Sequence, residues 1–596
     1  MSSATDTYAL LRAFVDELAR SGMRFACTSP GSRSAPLALT LAHEPRVRCY
    51  SHIDERCAGF FALGLAKASG LPVAVTCTSG TAVAELLPAA IEAHEARVPL
   101  LLLTADRPPE LRENGAGQAI DQLKLFGGAA KWFFEVGTHE ASPQRLRWMR
   151  TLACRAYATA LAGRPGVVHL NFPLREPLVA DEPLPEDTSG RDDGAPYVRR
   201  HGPSRTPIGE GLTAAAKLIR AARRGVVVAG RDERGDPERA AVGSAAKLAL
   251  AAGWPLLADP MSHARRGQTA IAHYDALLRE EGFYGPLEPD LVLRVGDLPV
   301  SKPLRGWLAG LTHVPQIALD PEAAWQDPAS VLSDSVAADH VALLDALDQQ
   351  EPPAAEDDWL AQWLSGDRLA AEAILGVLAE AGLSEPTVAA ELGTLLPAAA
   401  TLFVASSMPV RDIETFWPVR DDPPRVLCNR GANGIDGVVS SAFGAAAADE
   451  GPVVLMIGDV ALAYDIGGLL AAKRLELKLT IVLLDNRGGG IFDFLPVAEN
   501  ALAREQDPDV NGRDAELDGD IYTRHIATPT GLDFADAARL YGLGHERVQD
   551  VAAFRLALER AIESETSQII EVRSDRAENR RLHSRVWEAA SAALRQ

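Results

Sequence analysis

"LMIGDVALAYD", residues 455–465, and "LLDNRGGG", residues 483–490, are the stretches whose reading decides the fold. Each begins as a continuous apolar run and ends in polar or glycine residues. A run that is apolar at every position is a strand buried on both faces. A hairpin would need only two turn residues before the chain reversed. Six polar or flexible residues, Asp485 to Gly490, follow Leu484 instead, and then the apolar pair Ile491-Phe492. One helix-length stretch separates the two strands, so a βαβ unit would set their ends side by side.

Ligands of open parallel sheets sit at the carboxyl ends of strands. Asp459 ends the first strand and Asn486 follows the second. Their side-chain oxygens, with the main-chain carbonyl of Gly488, would give three hard oxygen ligands. Mg²⁺ favours such a partial oxygen set, leaving positions for phosphate and water, and Mn²⁺ accepts the same donors. The helix opening after Asp459 and the glycines 488 to 490 are expected to offer N–H groups to phosphate oxygens. Taken singly, each half also reads as a βα turn, with Asp459 as an N-cap.

Outward from this point the pattern repeats. "RFACTS", "VRCYSHID", "VAVTCTS" and "PLLLLTAD" are strands in the first part of the chain. "GVVVAG", "WPLLAD", "PDLVLRVG" and "VPQIALD" follow in the middle, and "ATLFVASS", "PVVLMIGD", "LKLTIVLLDN" and "QIIEVRSD" in the last part. Helix-length Ala/Leu-rich runs lie between them, which means doubly wound α/β sheets. Polar, Pro- and Gly-rich breaks at 181–207 and 348–358 divide the chain, and the domains are set at 1–183, 205–350 and 368–596. A long polar stretch, Ala498 to Gly531, is expected to be a lid or disordered.

Composition removes whole classes. The chain has 596 residues and a net charge of −22, which disfavours nucleic acid and anionic membranes as partners. No apolar run approaches the roughly 20 residues of a membrane span. The N-terminal "MSSATDTYALLRAFVDELARSG" is an acid-bearing amphipathic helix rather than a signal peptide. The six cysteines show no C-x-x-C pair, so buried free thiols in a reducing cytoplasm are expected. Neither G-x-S-x-G nor H-E-x-x-H occurs, which argues against two hydrolase classes.

"GDV…LDNRGG" resembles the cofactor motif of the thiamine diphosphate (ThDP) enzyme family, Gly-Asp followed about thirty residues later by Asn. The resemblance implies a glutamate from another domain, and "YSHIDERCAGFFALGLAKASG" (50–70) supplies Glu55 at a strand-to-helix junction. "TCTSGTA" (76–82) is also similar to these enzymes. Glu55 would hold the aminopyrimidine ring as the catalytic residue, while Asp54 reads as a helix N-cap and His52 as a packed histidine. As a plain structural residue, Glu55 would be a first-turn acid favoured by the helix dipole. By analogy Ile435 would wedge the bent cofactor and Ile491 and Phe492 would line it. Gly458, Asp459, Val460, Ala461, Asn486, Gly488, Gly489 and Ser407 would complete its cradle.

The substrate is read from cations. Arg33, Arg107, Arg411, Arg430 and Lys302 all follow strands, beside Ser32, Gln118 and Ser407. Guanidinium forks match carboxylates, so several of them in an acidic chain point to multiply charged acids. "SPGSRSAPL", "TADRPPELRENGAGQAIDQ", "NRGANGIDG" and "GDVALAYD" resemble the menaquinone-biosynthesis branch of the family along essentially the whole chain. That resemblance implies a transferase that decarboxylates 2-oxoglutarate and adds the four-carbon unit in 1,4 fashion to isochorismate. It also implies a homodimer or homotetramer with the site between subunits. Arg487 stands where related sequences more often carry a small amide, and Pro303 where some carry a second basic residue. Rival readings are a ThDP enzyme for small monoacids, a dinucleotide oxidoreductase, which the missing G-x-G-x-x-G disfavours, and an inactive relative.

Overall fold

Continuous apolar runs become parallel strands because both sheet faces are covered by helices. The computed structural model describes residues 3–180, 183–184, 186–200, 210–232, 242–338, 343, 355–498 and 521–596. Most of the expected 498–531 loop, and parts of both expected linkers, lie outside the described residues.

The first sheet holds β1 (Phe25–Thr28), β2 (Arg48–Ser51), β3 (Val73–Cys77), β4 (Leu100–Asp106), β5 (Ala130–Glu135) and β6 (Val167–Pro173) in the order β2-β1-β3-β4-β6-β5. The second holds β7 (Gly225–Ala229), β8 (Leu256–Ala258), β9 (Leu291–Val295), β10 (Gln316–Leu319) and β11 (Asp334–Val336), ordered β11-β10-β9-β7-β8. The third holds β12 (Thr401–Val404), β13 (Arg425–Cys428), β14 (Val453–Gly458), β15 (Thr480–Asp485), β16 (Gly544–Val548) and β17 (Gln568–Arg573), ordered β13-β12-β14-β15-β17-β16. In the third sheet the strand order reverses between β12 and β14, the switch point where such sheets bind ligands. β14 and β15 pair in parallel with Gly458 opposite Leu484, so Asp459 and Asp485–Asn486 leave the sheet together.

The chain forms two compact units. Unit 1 comprises residues 1–203, 429–450 and 465–477, and unit 2 comprises 204–428, 451–464 and 478–596. Unit 1 thus takes up two pieces of chain that lie, in sequence, within the expected third domain. Its centre is the packing of helix Glu55–Ser69 against helix Val438–Ala448. A Cβ on Gly64 would lie 1.9 Å from the Ser441 carbonyl oxygen, and one on Gly444 2.0 Å from that of Phe61. The small residues of "AGFFALGLA" therefore let two backbones touch.

Asp54 caps the first of these helices by accepting the Arg56 N–H at 2.9 Å. The second helix begins at Gly437, which has no side chain to cap with. Asp465 takes over that role, accepting the Ser440 N–H at 2.7 Å and its Oγ at 3.1 Å. All six cysteines are free, and only Cys49 is partly exposed. Among the described residues no single helix is long and apolar enough to cross a membrane.

Candidate active site

Unit 2 carries the strand ends read first in the sequence. Asp459 is 2 % exposed, and its carboxylate accepts the N–H groups of Val460 and Gly488. Asn486, also buried, donates from Nδ2 to Glu385 Oε1 at 2.9 Å. One oxygen of each is left over: Asp459 Oδ2 and Asn486 Oδ1 are buried with no hydrogen-bond partner among the described residues. Buried acceptors without donors are costly. Burial and then the neighbouring Asp485 push the Asp459 carboxyl up to about 7, as expected of an acid lacking its counter-charge. Two orphaned oxygens at adjacent strand ends fit a divalent cation.

The glycines differ from expectation. Their N–H groups do not form an open row: Gly488 N–H meets Asp459, Gly489 N–H donates to the Ala527 carbonyl at 2.6 Å, and Gly490 N–H to that of Gly488 at 2.9 Å. The cause is the backbone of Gly488, at φ 137°, which turns the chain onto the segment Thr523–Ala527. A Cβ there would meet the Ala527 oxygen at 2.6 Å. The glycines thus shape the loop through close approach rather than by donating outward. Arg487 is exposed at φ 61°, a left-handed conformation that Asn tolerates more readily than Arg.

A cavity of about 560 Å³ in unit 2 brings together Lys302, Arg411 and Ile491, together with Arg305, Arg580 and Leu495, which the sequence reading did not single out. Arg411 reaches back to the Ser407 carbonyl at 2.6 Å. Ser407 has φ 76°, a strained value for a serine, and such strain clusters at functional sites. Phe492 is half-buried near Ala498, Tyr522 and Ala527. Gly458 ends β14, and Val460 and Ala461 lie in the short helix after it.

Unit 1 assembles a second constellation. Arg33 is 6 % exposed and donates to the Leu174 carbonyl at 2.8 Å and to Glu176 at 2.9 Å. Arg107 donates to Ser79 Oγ at 2.7 Å, and Ser79 in turn donates to the Gln118 carbonyl at 2.8 Å. Burial and then the nearby positive charge of Arg33 lower the Arg107 pKa, so the two guanidiniums repel each other. Such a pair suits an anion placed at both forks. The side chains of Ser32 and Gln118 are exposed beside it. Arg430, half-buried, is placed by the next two residues, since Gly431 and Ala432 donate their N–H groups to Glu92 at 2.8 and 2.6 Å. Ile435 is half-buried on the same loop.

Glu55 opens its helix with a half-buried carboxyl whose pKa is raised, first by burial and then by the Asp54 and Glu85 charges. His52 packs on Phe61 with the rings tilted by 56° and their centroids 4.5 Å apart, and burial and Arg474 hold it down to about 4. It is neutral packing. Beneath the Arg107 strand end lies a polar lattice that the sequence did not reveal. Gln122 accepts the Gly80 N–H at 2.9 Å and donates to Asn171 at 2.9 Å, and Asn171 donates to Asp106 and Glu135, both at 2.8 Å. Glu385 was likewise missed, because nothing local marks a first-turn glutamate that meets Asn486 101 positions away. Among the described residues no cluster of three or more His, Cys, Asp or Glu side chains would hold a metal.

The sequence matches three profiles of known families. Residues 9–125 match the N-terminal TPP binding domain of thiamine pyrophosphate enzymes, 193–404 the middle domain of thiamine pyrophosphate enzymes, and 410–572 the C-terminal TPP binding domain. Among curated proteins, the chain is 44 % identical to a 2-succinyl-5-enolpyruvyl-6-hydroxy-3-cyclohexene-1-carboxylate (SEPHCHC) synthase of Geobacillus kaustophilus, covering 98 % of each chain. It is 41 % identical to that of Chloroflexus aurantiacus, over 98 % of this chain and 96 % of the relative, and 41 % identical to that of Listeria monocytogenes, over 98 % of each. The chain belongs to the thiamine pyrophosphate enzymes and, within them, to the SEPHCHC synthase family. It is a ThDP-dependent enzyme of the transferase type, acting in menaquinone biosynthesis.

Proposed function

We propose that the chain decarboxylates 2-oxoglutarate and joins the remaining four-carbon unit to isochorismate, giving SEPHCHC and CO₂. The observation that carries this reading is the gathering of cations at strand ends in a chain of net charge −22: Arg33 beside Arg107 in unit 1, and Lys302 with Arg411 around the cavity of unit 2. A monoacid needs one such partner, whereas these substrates carry several carboxylates. When bound, ThDP supplies the electron sink that decarboxylation needs. Asp459, Asn486 and the Gly488 carbonyl would hold Mg²⁺ or Mn²⁺, two of them through oxygens that lack partners. Glu55 would hold the cofactor's ring nitrogen, and its raised pKa suits a group that shares a proton there. Arg33, Arg107, Gln118, Lys302, Arg411 and Arg430 would position the acids, with Ser32 and Ser407 as hydrogen-bond partners.

The same reading keeps 1–183 as the pyrimidine-binding domain, 205–350 as a central domain and 368–596 as the diphosphate-binding domain. It takes the working assembly to be a homodimer or homotetramer with the site between subunits, as the family resemblance implies. Six free thiols support a reducing cytoplasm as its place of action. The test is CO₂ release from 2-oxoglutarate and from pyruvate, with and without ThDP and Mg²⁺. The expected result is ThDP-dependent release from 2-oxoglutarate in clear preference. Preference for pyruvate would refute the reading.

A further inference from the structure

A side-chain amide has two unlike ends, and the neighbours it hydrogen-bonds decide which end faces which way. Asn486 is useful to a cation only if its oxygen, not its NH₂, faces the site. Its NH₂ group donates to Glu385 Oε1 at 2.9 Å, and the same oxygen accepts the Ser574 hydroxyl at 2.7 Å. Glu385 is 1 % exposed, so bulk solvent does not compete for the contact. It stands at the first position of helix Glu385–Leu395, which Ser384 caps by accepting the Thr387 N–H at 3.3 Å. With Nδ2 committed to Glu385, Oδ1 is the atom left buried and without a partner. The position of Gly490 adds a constraint, because a Cβ there would lie 2.8 Å from Asn486 Nδ2 and push the amide off this line.

From this geometry we propose that Glu385 is a positioning residue, which fixes the amide of Asn486 with its oxygen toward a divalent cation shared with Asp459. The proposal rests on the cation reading above. Glu385 itself touches neither cation nor substrate. It acts as an acceptor that only the NH₂ end can satisfy: a flipped amide would set two oxygens against each other and turn two N–H groups toward the metal. Near enough to act electrostatically on Glu385, Asp412 accepts from His583 Nε2 at 2.9 Å, and His583 Nδ1 lies 2.9 Å from the Asn579 carbonyl.

The experiment is Mn²⁺ binding to the full chain in the presence of ThDP, read by the electron paramagnetic resonance of the free ion. Glu385→Leu, which accepts nothing, is expected to bind Mn²⁺ about 10- to 100-fold more weakly, the usual effect of removing an outer partner of a metal ligand. Glu385→Gln keeps an acceptor oxygen at the same reach and is expected to bind as the parent does. Glu385→Asp withdraws the acceptor by one methylene and is expected to fall between them, which keeps the test open if Glu385→Leu does not fold. Melting temperatures without ThDP report folding separately. Unchanged Mn²⁺ affinity in both Glu385→Leu and Glu385→Asp overturns the proposal, as does a Glu385→Gln loss equal to that of Glu385→Leu. If the parent chain binds no Mn²⁺, or Asp459→Asn binds it equally well, the cation reading itself fails and takes the proposal with it.

Discussion

The strand ends of unit 2 and those of unit 1 hold their polar groups in opposite conditions. At β14 and β15 the key atoms are acceptors with nothing to accept from, Asp459 Oδ2 and Asn486 Oδ1. Around β4 most of the key donors are already in use, Arg33 on Leu174 and Glu176 and Arg107 on Ser79, and only Arg33 Nε among them is buried without a partner among the described residues. Glu176 is 72 % exposed at its side chain, so it can swing away and leave Arg33 to an arriving carboxylate. The first arrangement is unfavourable until a cation arrives, whereas the second keeps its shape without a ligand. A permanent cofactor suits the former and a passing substrate the latter.

The largest effect is expected where the orphaned oxygens are. Asp459→Ala should abolish the rise in melting temperature given by ThDP with Mg²⁺, and activity should drop to background. In the parent chain that rise reflects a gain of about 2.7 kcal/mol at one hundred times the dissociation constant. A full cofactor-dependent shift in Asp459→Ala would break the comparison. Next in size, Glu55→Gln should slow turnover by about 10²- to 10⁴-fold, the range for losing a proton-transfer group, while the thermal shift persists. Loss of the shift in step with the rate would make Glu55 a packing residue.

Arg107→Ala should lower kcat/KM for at least one of the two acid substrates by about 10- to 150-fold, equivalent to losing roughly 1.5–3 kcal/mol of charge-assisted hydrogen bonding. Its cofactor shift and melting temperature should stay close to the parent's. A large drop in melting temperature would show that the donors of unit 1 are structural after all.

The smallest effect concerns pH. Burial holds His169 down to about 3, and burial with Arg474 holds His52 down to about 4, against an ordinary value of 6.5. Both therefore stay neutral in the fold but charge in the unfolded chain. Their contribution is complete above pH 6.5 and is lost as pH falls through that value toward the folded-state pKa, at about 1.36 kcal/mol per pH unit for each. Chemical denaturation between pH 7 and pH 5 should show this slope, and His169→Gln should remove one of the two histidines' shares of it. An unchanged slope in that variant would show that His169 does not titrate across unfolding.

Apolar strands and motif spacing were legible from the chain, and tertiary satisfaction was not. β6, "VVHLNFP", breaks its apolar run with His169 and Asn171, and their burial in the strand is matched by hydrogen bonds with Thr104, Gln122, Asp106 and Glu135. β16, "GHERV", is charged because it lies at a sheet edge, where strands tolerate such residues. The glycines after Asn486 read as open donors because composition does not show that Ala527 closes over them. Lys302 and Arg411 were found from their positions after strands and Ile491 from the family resemblance, and the three line one cavity. Glu385 carried no signal at all, because its role exists only through a contact made in the folded chain.

The most direct test of the central claim is the mass of the product. The purified protein would be incubated with ThDP, Mg²⁺, 2-oxoglutarate and isochorismate, and the mixture analysed by mass spectrometry. The account predicts a new ion equal to isochorismate plus the decarboxylated four-carbon unit, absent when ThDP or either substrate is omitted. Consumption of 2-oxoglutarate with no such adduct, in protein that has bound its cofactor, would contradict it.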